Sequence, residues 1–141
     1  NVYWKALSLN PCIENFCRAN PYMVLYGEIY GWVQSLKYGS LPGQIYFRAF
    51  DVYDSVRKTF WSWSQFKSAM DNYEIPVVPV IAFGICDDNL ILNNMSGKTN
   101  IPGADHMREG IVIKPEFETY DRKVGRLILK AVSPDCLEKS K

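Results

Sequence analysis

Three short runs place carboxylates where a strand would ordinarily exclude them: Tyr26-Gly27-Glu28-Ile29-Tyr30-Gly31, Phe47-Arg48-Ala49-Phe50-Asp51 and Arg108-Glu109-Gly110-Ile111-Val112-Ile113-Lys114. Each sets an acidic side chain beside a glycine or an aromatic ring within an otherwise apolar, strand-like stretch. Charge in that setting is costly unless it is paired or put to use on a ligand. The runs come in this order and are followed by a basic strand, Arg126-Leu127-Ile128-Leu129-Lys130. Together they suggest a nucleotide pocket built on a sheet, which no single run would justify.

The elements that must position these runs are readable in outline. Asn10-Pro11 ahead of Ile13, Phe16 and Cys17 predicts a capped amphipathic helix that closes near Asn20-Pro21. Met23 to Trp32 reads as a strand with Tyr26, Glu28 and Tyr30 on one side and Gly27, Ile29 and Gly31 on the other. A turn at Tyr38-Gly39-Ser40-Leu41-Pro42-Gly43 leads to a second strand, Gln44 to Tyr53. That turn lacks the Gly-Lys-Ser/Thr ending of a phosphate loop, so it is read as a plain hairpin connection.

Further on, Ser62-x-x-Gln65 is a capping-box signal, and Trp63, Phe66, Met70 and Tyr73 recur at helical spacing. Pro76 and Pro79 break Ile75 to Phe83 into an edge strand or irregular extended segment. Asn93 to Asp105 reads as a polar loop, and Glu109 to Lys114 and Gly125 to Val132 as the last strands. Strands joined by short turns, with two or three helices between them, predict an α+β fold of mainly antiparallel sheets.

Composition narrows the classes. The 141 residues are 48% hydrophobic and 14% aromatic, which suits one globular domain with a real core. A net charge of +1 gives no support to a strongly basic nucleic-acid face. Cys12, Cys17, Cys86 and Cys136 form no C-x-x-C pair, and the lone His106 supplies no second metal ligand. They are read as buried, reduced core residues, and hence the protein as intracellular. No apolar run approaches the roughly 20 residues that span a bilayer, so no membrane partner is expected. The first residues, Asn1-Val2-Tyr3-Trp4-Lys5, do not read as a signal peptide. Ser133-Pro134-Asp135 has the form of a helix start with little chain after it. Residues 1–141 are therefore expected to be part of a domain truncated at both ends, with N-terminal and C-terminal parts elsewhere in the same protein.

In order and spacing the runs resemble the collinear motifs of the covalent nucleotidyltransferases, the superfamily of ATP-dependent ligases and capping enzymes. Tyr26 to Gly31 resembles motif III, Phe47-Arg48-Ala49-Phe50-Asp51-Val52 motif IIIa, Arg108 to Pro115 motif IV, and Leu129-Lys130-Ala131-Val132-Ser133 motif V. The Glu-Gly-x-Val-x-Lys form of motif IV is closer to RNA ligases than to DNA ligases or capping enzymes. The segment Val33-Gln34-Ser35-Leu36-Lys37-Tyr38-Gly39 is similar to one RNA ligase branch. The likeness covers roughly residues 10 to 137.

The resemblance implies an ATP-dependent RNA ligase that joins RNA 5′-phosphate and 3′-OH ends through enzyme–AMP and RNA–adenylate, with ATP (as AMP) and Mg²⁺ as cofactors. It implies that Glu28 bonds the ribose hydroxyls, that Phe50 stacks on adenine and that Glu109 holds or orients the cation. Lys130 would neutralise the α-phosphate. The residues alone leave other roles open: Glu28 in a structural ion pair, Phe50 in the core, and Asp51, on the opposite face from Phe50, in a turn or ion pair. Gly110 is expected to let the backbone approach a ligand. Lys114 is a further catalytic candidate, although five residues from Glu109 it should face the other side of a regular strand; either a bulge or the strand end at Pro115 turns it inward, or it is only a solvated end. Motif V often carries Lys-x-Lys, whereas here Ile128 and Val132 flank Lys130, with Arg126 as a possible substitute. No Lys-x-Asp-Gly occurs among residues 1 to 25, so this stretch is expected to be unable to adenylylate itself. A DNA ligase or capping-type transferase, or a degenerate nucleotide- or RNA-binding module, are the alternatives.

Overall fold

The computed structural model describes residues 1–138, so the last three positions of the expected 1–141 domain lie outside the described residues. The chain divides into two units, one formed by 1–78 with 116–118 and the other by 79–115 with the described residues from 119 onward.

The first unit opens with α1 (Val2–Leu9) and α2 (Pro11–Ala19), followed by strands β1 (Met23–Gly31), β2 (Ile45–Asp54) and β3 (Thr59–Phe60) and helix α3 (Trp63–Asn72). The strands form one antiparallel sheet in the order β1-β2-β3. Helix α2 lies where the Asn10-Pro11 signal put it, with Pro11 at its first turn. Its apolar positions Ile13 and Phe16 are buried. Phe16 meets Trp61 and Tyr73 edge-on, at centroid distances of 6.1 and 5.3 Å. Ala49 and Val52 of β2 join Phe16, Phe66, Met70 and Ile75 in the core. Burying a Phe or Met side chain contributes about 1.5–3 kcal/mol, so α2 and α3 hold one side of β2 rigidly and leave its other side to do something else.

The sequence misses α1 because only Ala6 of that helix is buried, which leaves no apolar stripe to read. Its start is nevertheless capped: Asn1 accepts from the Tyr3 amide at 2.9 Å. The capping box at Ser62 does not form. The Ser62 hydroxyl accepts instead from the Glu118 amide at 3.0 Å, while the Trp63 amide donates to the Glu116 carbonyl. Residues 116–118 are stitched to the head of α3 by these two bonds.

The second unit holds α4 (Asp88–Met95), β4 (Gly110–Ile113), the short hairpin of β5 (Tyr120–Asp121) and β6 (Gly125–Arg126), then β7 (Leu129–Val132) and α5 (Pro134–Glu138). Strand β4 pairs antiparallel with β7, and β5 with β6. The expected single strand from Gly125 to Val132 is thus two strands with different partners. The expected loop at Asn93 to Asp105 begins as the end of α4. That helix is capped by Asp87, which accepts from the Leu90 amide at 2.7 Å, and it buries no residue, so periodicity gives no sign of it. In the β5–β6 turn the Asp121 carboxylate accepts from the Lys123 and Val124 amides. These two donors hold its carboxyl below the usual carboxylate range.

Five helices and three antiparallel sheets make an α+β fold among the described residues. The cysteines are a correction. Cys12 and Cys136 are half-buried and Cys17 and Cys86 exposed, and all four are free thiols. On α2, Cys12 packs against the core while Cys17 faces away from it and is exposed. No helix of the described residues is long and apolar enough to cross a membrane.

Candidate active site

In the first unit the candidate residues lie on the side of the β1–β2 pair turned away from the core. Glu28 stands opposite Arg48, Tyr30 opposite Tyr46, and Tyr26 opposite Asp51. The register slips between Tyr26 and Gly27, because Phe50 is an extra residue on β2 with no partner on β1. Ala49 and Val52 both lie in the core, so the two residues between them, Phe50 and Asp51, both turn to the other side. A bulge resets strand alternation in this way. It overturns the expectation that Asp51 lies on the opposite face from Phe50. Asp51 is only 4% exposed, and Phe50 is half-buried.

Gly27 stands across from the bulge. A side chain there would meet the Phe47 ring at 2.1 Å, so the glycine admits a core ring under the strand. Glu28 is exposed. Among the described residues its carboxylate has no hydrogen-bond or ion-pair partner. The structural ion-pair reading of Glu28 therefore finds no partner among the described residues. Arg48, its cross-strand neighbour, is committed elsewhere: Nε donates to the Tyr30 hydroxyl at 3.0 Å and Nη1 to the Val77 carbonyl at 2.8 Å. Tyr30 is buried between Tyr38 and Tyr46, at centroid distances of 5.3 and 5.4 Å.

In the second unit the candidate residues lie on and beside the β4–β7 ladder. Lys130 is paired with Val112 and is exposed, with no partner for its ammonium among the described residues. Glu109 precedes β4 and extends the ladder by one bond, its carbonyl accepting from the buried Ser133 amide at 2.8 Å. Its carboxylate is exposed and likewise without a partner among the described residues. Counted along the ladder, positions 109 and 130 have opposite parity. The count runs through Gly110, whose φ of +156° departs from a regular pleat.

Gly110 serves a different neighbour from the one expected. A Cβ there would stand 2.1 Å from the Ala131 carbonyl oxygen, so the backbone approached closely is that of β7. Lys114 lies just beyond the last residue of β4 and is half-buried, so strand alternation does not govern it. Glu28 and Phe50 thus belong to the first unit, and Glu109, Lys114 and Lys130 to the second.

Sequence reasoning missed the residues that brace these groups. Arg108 donates to the Asn100 side chain at 3.0 Å and to the Ser96 carbonyl at 2.8 Å, while the Ser96 and Ser133 hydroxyls share a 2.9 Å hydrogen bond. Arg108, next to Glu109, and Ser133, its partner in the rung, are therefore both tied down. No periodicity announces such links, but the Glu28–Arg48 pairing follows from the hairpin register and could have been found by counting back from the turn. Among the described residues no three His, Cys, Asp or Glu side chains gather to cage a metal. A lone exposed carboxylate such as Glu109 fits a Mg²⁺ ion that keeps waters and arrives with phosphates, since Mg²⁺ usually takes one or two protein carboxylates.

The RNA ligase family model matches residues 2–132, nearly the whole chain. The chain belongs to the RNA ligase family. Solved structures of a Naegleria gruberi RNA ligase share the fold. The form with PPi is 26% identical with a TM-score of 0.77, over 99% of this chain and 40% of that one. An apo mutant is 25% identical with a TM-score of 0.79, over the same shares of the two chains. A mutant with ATP and Mn is 25% identical with a TM-score of 0.76, over 96% and 40%. The chain therefore spans about two-fifths of the length of the RNA ligases it matches. No curated protein matches it.

Proposed function

We propose that the protein carrying this chain is an ATP-dependent RNA ligase, with Glu28 and Phe50 assigned to the nucleoside of ATP, Glu109 to the cation and Lys130 to the α-phosphate. The observation that carries this reading is Glu28, an acid in the middle of a strand with no partner among the described residues, on the same side as the bulged Phe50. A carboxylate can accept from both ribose hydroxyls. An aromatic face contributes roughly 1–3 kcal/mol of stacking on a base. The presence of ATP and Mn with the Naegleria relative is in keeping with this assignment.

In the proposed reaction a lysine amine attacks the α-phosphorus of ATP and expels pyrophosphate, leaving enzyme–AMP. AMP passes to an RNA 5′-phosphate, and a 3′-OH then displaces it to seal the strand. The nucleophile is assigned to a part of the protein that this chain does not span. A bound Mg²⁺ would offset phosphate charge. For the chain's own residues, Glu28 and Phe50 orient the nucleoside, the Lys130 ammonium faces charge building on the α-phosphate, and Glu109 presents an oxygen ligand. Lys114, at the end of β4, is a second cation for the same phosphates.

Replacing Glu28 by alanine in the full-length protein tests the reading. Hydrogen bonds to a charged group contribute about 1.5–3 kcal/mol, and 1.4 kcal/mol is tenfold in affinity. The Kd for ATP, measured by calorimetry, is expected to rise roughly 10- to 100-fold. An unchanged Kd in a folded Glu28→Ala protein would show that the carboxylate does not touch the nucleotide.

A further inference from the structure

We propose that Tyr30 is a positioning residue that keeps Glu28 available by holding Arg48 away from it. The inference rests on the reading of Glu28 as a nucleotide contact. Opposite charges directly across a sheet ordinarily pair. Glu28 and Arg48 are directly across, and the Ala49 amide and carbonyl bond residues 76 and 78 rather than β1. By alternation residue 48 bonds β1, which sets its Cα about 5.5 Å from that of residue 28. A guanidinium that close would find the carboxylate unless something else held it.

Two acceptors hold it, and they lie on different segments. The Tyr30 hydroxyl takes Nε, and the Val77 carbonyl takes Nη1. Val77 is fixed in turn by its bridge to Ala49. Tyr30 cannot drift, because it is buried between two other tyrosines. Its hydroxyl is thus a fixed hook two residues along from the acid it protects, on the same side of β1. The arrangement leaves a solvated carboxylate without a partner among the described residues, although an arginine stands across the sheet from it.

Removing the hydroxyl should release Nε and let Arg48 swing to Glu28, where it competes with ribose. An exposed pair of this kind is weak, so Tyr30→Phe in the full-length protein is expected to raise the Kd for ATP roughly two- to five-fold, with the unfolding midpoint as the check on folding. The defect should shrink between 50 mM and 500 mM salt, because an exposed ion pair is screened. Arg48→Met in the Tyr30→Phe background should bring the affinity back, since no guanidinium remains to compete. Affinity that Tyr30→Phe does not change, or a loss that Arg48→Met does not repair, overturns the proposal. Glu28→Ala separates the two levels. If it leaves ATP binding intact, the nucleotide reading itself fails; if it weakens binding while Tyr30→Phe does not, only the role of Tyr30 fails.

Discussion

Alanine in place of Glu109 or of Lys130 in the full-length protein is expected to abolish enzyme–AMP formation. Both side chains are exposed and neither has a partner among the described residues, so neither substitution removes a fold-stabilising contact that the structure shows. The loss should therefore appear in chemistry rather than in stability. The positions two residues before and after Lys130 are Ile128 and Val132, so no second amine stands beside it in its own segment. Removing one group that stabilises developing charge typically costs about 10²- to 10³-fold in rate. That loss would take labelling by α-labelled ATP below detection in a short incubation. Retained labelling in both variants would remove these residues from the site. A wild-type protein that never labels would favour the degenerate, non-catalytic alternative.

Gly110→Ala should be the most damaging single-methyl change in the second unit. The added Cβ would meet the Ala131 carbonyl oxygen at 2.1 Å and the Val132 Cα at 3.0 Å, both of them backbone atoms that cannot rotate away. The residue would also carry a side chain at φ +156°. Strain of this kind costs about 1–3 kcal/mol, and overpacking adds a similar amount. Denaturant unfolding of the variant should show a loss of roughly 2–4 kcal/mol. Amide exchange at Ile111 and Ile113 should speed up, because β4 must part from β7 to make room. A variant as stable as the wild type would mean that the two strands are not held at this spacing.

The first unit was legible wherever a residue's burial repeats with the period of its element. The strand at Met23, the helix at Pro11 and the stripe on α3 all bury one side against the core and could be read from spacing. Helices α1 and α4 bury one residue and none, so no pattern marks them. The bulge at Phe50 was hidden for a related reason. A charged residue beside an aromatic one looks like ordinary alternation, and only the strand register, with the burial of both Ala49 and Val52, shows that a position has been added. Gly110 was expected to admit a ligand, whereas the atoms that stand close to it belong to β7; a sequence cannot draw that distinction. The identities of the candidate acids and of Lys130 came from motif order. Their exposure, and the bonds that hold Arg48 and Arg108 aside, came from the structure alone.

The most direct measurement is a crystal structure of the full-length protein with ATP. The account requires the Glu28 carboxylate within about 2.6–3.2 Å of a ribose hydroxyl and the Phe50 ring stacked on the base, with Arg48 still bonded to Tyr30. A nucleotide bound away from the β1–β2 face, or a Glu28 paired with Arg48 while ATP is present, would contradict it.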